Sequence, residues 1–86
     1  MNEVEARLIL ARHLERYHLR SYAYLATATC LGRIESVAVG KYQINVEATW
    51  ENAPEGDVKV VGSISDGRSR ITEEFNVASI GEFAAL

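Results

Sequence analysis

The sequence predicts an α+β domain in which one or two N-terminal helices pack on a curved four-stranded antiparallel β-meander. Three observations carry that reading. Residues 2–19 hold neither Gly nor Pro and are rich in helix formers. Beyond Gly32 the apolar period falls to two. Turn residues at Gly40-Lys41, Asn52 to Asp57 and Asp66-Gly67 then cut the rest of the chain into four strands.

The first helix starts at Asn2, whose side chain suits an N-cap, with Glu3 and Glu5 favourably placed against the helix dipole. Its apolar residues form two stripes: Val4, Leu8 and Ala11 on one face, Ala6, Leu10, Leu14 and Tyr17 about a third of a turn or more away. Both faces therefore call for cover, one from the sheet and one from a second subunit or from the chain itself. The segment Ser21 to Leu31 mixes alanines, which favour helix, with Tyr, Thr and Cys, which also suit a strand. Ser21 as N-cap and Gly32 as the residue that ends it make a second short helix the preferred reading.

Ile34 to Val39 reads as the first strand, closed by a two-residue turn with Gly40 in its first central position. Tyr42, Ile44, Val46, Ala48 and Trp50 alternate with polar residues over nine positions, a strand about 30 Å long at ~3.3 Å per residue. Val58, Val60 and Ile64 share one face of the third strand, and Ile71, Phe75 and Val77 one face of the fourth. Glu73 has the same parity as Ile71 and Phe75, so a bulge or a rim position must accommodate it. Arg70 and Glu74 share the other face and are placed for an ion pair. The apolar tail Gly81 to Leu86 is expected to fray or dock.

Eighty-six residues, 48% of them apolar, suit a single domain spanning 1–86 with one core. The formal net charge is −3 and the nine Lys and Arg residues are scattered, so nucleic acid is not an expected partner. The acidic N-terminus does not read as a signal peptide, and no run approaches the roughly 20 apolar residues of a membrane span. A cytoplasmic protein without membrane association is the expectation. Cys30 is the only cysteine, and its apolar surroundings predict a buried, inert thiol.

No sequence motif specifies a reaction, a metal or a cofactor. His13 and His18 stand five apart, about 140° around a helix, and cannot share a metal ion. With Glu73 they are the plausible acid/base groups, and each histidine would need a carboxylate from elsewhere in the fold. The candidate ligand-binding residues are Tyr22, Tyr24, Trp50 and His18: aromatics under a helix can line an apolar pocket, and Trp50 closes a strand beside the Pro54 loop.

The segment Val60-Val61-Gly62-Ser63-Ile64-Ser65-Asp66-Gly67, followed by Ile71-Thr72-Glu73-Glu74-Phe75, resembles small bacterial proteins that carry no established activity. More broadly, a helix followed by a long-stranded meander resembles the cystatin-like and nuclear-transport-factor-like architecture, a helix packed on a curved sheet. That likeness implies fold more than function, since the architecture hosts binding proteins, inhibitors and enzymes. Here the extra helices that complete a deep cone are absent. The leading expectation is a non-enzymatic binding module acting as a homodimer. A small-ligand-binding protein or modest enzyme with a pocket between helix and sheet, and an inhibitor or immunity-type protein, are the alternatives.

Overall fold

The computed structural model describes residues 1–52 and 56–78; the tail from Gly81 and the centre of the Pro54 loop lie outside them. Helices α1 (Glu3–His18) and α2 (Tyr22–Ala28) precede strands β1 (Arg33–Val39), β2 (Tyr42–Trp50), β3 (Val58–Ser65) and β4 (Arg70–Val77). The strands pair antiparallel in the order β1-β2-β3-β4, an open meander. Both helices lie on one face of it.

Asn2 caps α1 as its side chain accepts from the Glu5 amide at 3.1 Å. Of the two apolar stripes on α1, the sheet covers one: Ala6, Leu10, Leu14 and Tyr17 are buried, while Val4 and Leu8 are 72% and 57% exposed. The buried stripe meets Tyr42, Ile44, Val46 and Ala48 of β2 and Val58, Val60 and Ile64 of β3 in one core. Gly62 sits beneath the helix. A Cβ there would come within 2.7 Å of Leu14 Cδ2 and 3.1 Å of Leu10 Cδ1, so the missing side chain is what lets α1 approach β3.

Ser21 caps α2 by accepting from the Tyr24 amide, which resolves the ambiguous segment as helix. The helix ends at Thr29 rather than at Gly32. A further turn follows, in which the Leu31 and Gly32 amides both donate to Ala28 O, and Gly32 at φ 76° redirects the chain into β1. Because Cys30 falls in that turn, past the helix and away from its inward face, its thiol is exposed rather than buried as the sequence suggested.

β1 carries a bulge. Arg33 pairs with Glu47 and Glu35 with Val46, so Ile34 is the extra residue. β2, β3 and β4 run in unbroken register, and Glu73 therefore needs no bulge; it stands opposite Gly62 at the rim, where Arg7 of α1 meets it at 3.0 Å. The β3–β4 connection is wider than a two-residue turn. Ser65 pairs with Arg70, and Asp66 Oδ1 accepts from the Arg68 and Ser69 amides, bonds that draw the Asp66 carboxyl down to about 2. The sheet's other face bears Gln43, Asn45, Lys59, Ser63 and Thr72, and among the described residues no helix covers it. There Glu74 lies 3.8 Å from Lys59, which also lies 3.8 Å from Glu51; the Arg70–Glu74 pair expected from parity does not form, since Lys59 comes from the adjoining strand.

Candidate functional site

Two regions hold the side chains capable of chemistry or binding, and both follow from how the helices meet β1. Along the first, α1 turns His13 and Tyr17, one turn apart, toward Glu35. Tyr17 donates its hydroxyl to Glu35 Oε1 at 2.7 Å, and His13 Nδ1 lies 2.9 Å from Oε2, so both carboxylate oxygens are engaged. Burial, reinforced by the hydrogen bond and charge of Glu35, pushes the Tyr17 phenol well above its ordinary range. Nearer the start of α1, Tyr42 donates to Glu5 Oε1 at 2.9 Å; burial and that bond push its phenol up likewise.

The carboxylate that a histidine required is thus Glu35, on the β1 side, whereas Glu73 on the β4 side pairs with Arg7. Sequence reasoning singled out Glu73 by its parity and passed over Glu35. The same signal was available, because Glu35 alternates with Val37 and Val39 on the inward face. Chemically, the Tyr17–Glu35–His13 cluster ties α1 to the edge strand.

The second region is a cavity of about 560 Å³ at the corner where α2 hands over to β1, lined by Tyr24, Thr27, Ala28, Cys30, Leu31 and Ile34. The seven-residue helix turns Leu25 and Ala28 into the core and leaves Tyr24 and Thr27 on a neighbouring face. The turn after it adds Cys30 and Leu31, and the β1 bulge adds Ile34. Leu31 is 80% exposed, and Thr27 commits its hydroxyl hydrogen to Ala23 O. The lining is accordingly apolar, with the Cys30 thiol as its reactive group. None of the lining residues belongs to the Glu35 cluster.

Of the four ligand-binding residues expected from sequence, only Tyr24 lines this cavity. Tyr22 donates its hydroxyl to Gly56 O at 2.7 Å, fastening α2 to the β2–β3 connection. Trp50 ends β2 opposite Val58, half-buried against the core. His18 stacks on Phe75 of β4, ring centroids 3.7 Å apart. The structure places these three around the sheet's end and edge rather than in one pocket.

Among the described residues no three His, Cys, Asp or Glu side chains gather to hold a metal ion, and no helix is long and apolar enough to cross a membrane. Comparison with protein-family models, with curated proteins and with solved structures gives no match.

Proposed function

We propose that this chain is a non-enzymatic binding module that works as a homodimer. The observation that carries the reading is the outward stripe of α1: Val4 and Leu8, both largely exposed, share a helical face with Ala11, also exposed. A two-fold axis across α1 sets that stripe against its own copy. A stable dimer covers about 800 Å² per partner, so an open sheet edge, at β1 or β4, completes the interface. A free, exposed Cys30 suits the reducing cytoplasm.

Sedimentation velocity on the wild type and on Leu8→Glu tests this. The wild type sediments as a dimer at tens of micromolar with a thermal midpoint that rises with protein concentration, and the variant as a folded monomer whose midpoint does not. A wild type that stays monomeric overturns the reading.

The corner cavity favours a second reading, a small-molecule binding protein. Its volume falls inside the range of about 300–1,000 Å³ typical of ligand sites, and its lining is mostly apolar, as such sites are.

A further inference from the structure

A cation stands beside the cavity at the α2–β1 corner, against one of its lining residues, Tyr24. The Arg20 guanidinium lies over the ring of Tyr24, 4.8 Å from its centroid. A guanidinium held over an aromatic ring keeps N–H donors, and their fork geometry matches a carboxylate. Arg20 forms no ion pair with the described residues. Of the acids flanking β1, Glu35 is held by Tyr17 and His13 on the α1 side, and Glu47 lies on the far face of the sheet. The corner therefore combines apolar walls from Ala28, Leu31 and Ile34 with a guanidinium over Tyr24 that has no ion pair among the described residues.

We infer that the corner binds an amphipathic carboxylate, an acyl chain or aromatic ring seated against Leu31 and Ile34 with its carboxylate forked by Arg20. This rests on the second reading above, the cavity as a ligand site, and adds the chemical class of the ligand. A chain of about ten carbons is small enough for a cavity of this volume. The wall also carries its own reporter, since Cys30 is the only thiol of the chain and is exposed.

The test uses the full chain with two probes of equal length, decanoate and 1-decanol. The rate at which neutral iodoacetamide labels Cys30 is followed by mass, and backbone amide shifts are mapped. Decanoate slows labelling and shifts amides between Tyr24 and Ile34. Arg20→Gln weakens decanoate about fivefold, as expected for one partly exposed charge contact, and leaves 1-decanol unchanged. Leu31→Asp abolishes both effects, and the exposure of Leu31 keeps that variant folded.

Equal affinity for the two probes, or indifference of decanoate to Arg20→Gln, overturns the carboxylate assignment while leaving an apolar ligand site. Absence of any effect from either probe overturns the site itself. Labelling that slows with protein concentration instead of with decanoate makes the corner an interface between copies and equally overturns the inference. Sedimentation of Leu8→Glu reports on the dimer separately.

Discussion

Along α1 the inward side chains are buried and the carboxylates beside the helix, Glu5, Glu35 and Glu73, each have a partner. Around α2 and the turn that follows, Tyr24, Cys30 and Leu31 remain exposed within eight residues of chain. The same sheet face receives both helices. The difference lies in what each offers it: sixteen residues give α1 four buried positions over the central strands, whereas seven give α2 only Leu25 and Ala28. The inward face of the first region serves folding, and the second leaves a larger share of its apolar surface uncovered.

The sharpest way to break this comparison is to truncate one leucine in each region. Leu10→Ala, at a fully buried position, costs about 2–5 kcal/mol, while Leu31→Ala changes stability by no more than about 0.5 kcal/mol. Urea denaturation of both variants decides it. Equal losses would mean that the corner belongs to the core after all.

A smaller effect is expected at the edge of the α1 region. Glu35→Ala strands the Tyr17 hydroxyl and His13, costing about 1–3 kcal/mol, against almost nothing for Glu47→Ala on the exposed face. If the two variants melt together, the cluster does not hold α1.

The smallest effect is alkaline and gradual. Tyr17 and Tyr42 have phenols raised above the ordinary 10.0, so the folded state keeps both protons where the unfolded chain loses them. Their contribution is complete below pH 10 and declines as pH rises beyond it. Denaturation midpoints of the wild type and of Tyr17→Phe, compared at rising pH, show the wild type losing stability more steeply. Parallel declines would separate Tyr17 from the effect.

Much of the architecture was legible because it depends on local chemistry. Asn2 and Ser21 cap their helices as their side chains predict, and β2 begins and ends where the alternation from Tyr42 to Trp50 does. Which stripe of α1 faces the sheet was not legible, since Val4-Leu8-Ala11 and Leu10-Leu14-Tyr17 are both apolar and only the shape above Gly62 chooses between them. The corner was harder still. Tyr24 lines it, but Leu31 and Ile34 become walls only because a turn follows α2 and β1 bulges, and an alternating pattern read from the chain cannot locate an extra residue. Cys30 was misplaced for the same reason: its neighbours are apolar, but its position in the turn points it to solvent.

That extra residue separates two inheritances within one strand. A chain lacking Ile34 would bring Arg33 and Glu35 into adjacent rungs and retain the pairing of Glu35 with Val46, Val37 with Ile44 and Val39 with Tyr42. The cavity would lose a wall and the core the packing of Ile34 against it. The corner's shape thus depends on one residue whose removal leaves the phase of the ladder beside it intact.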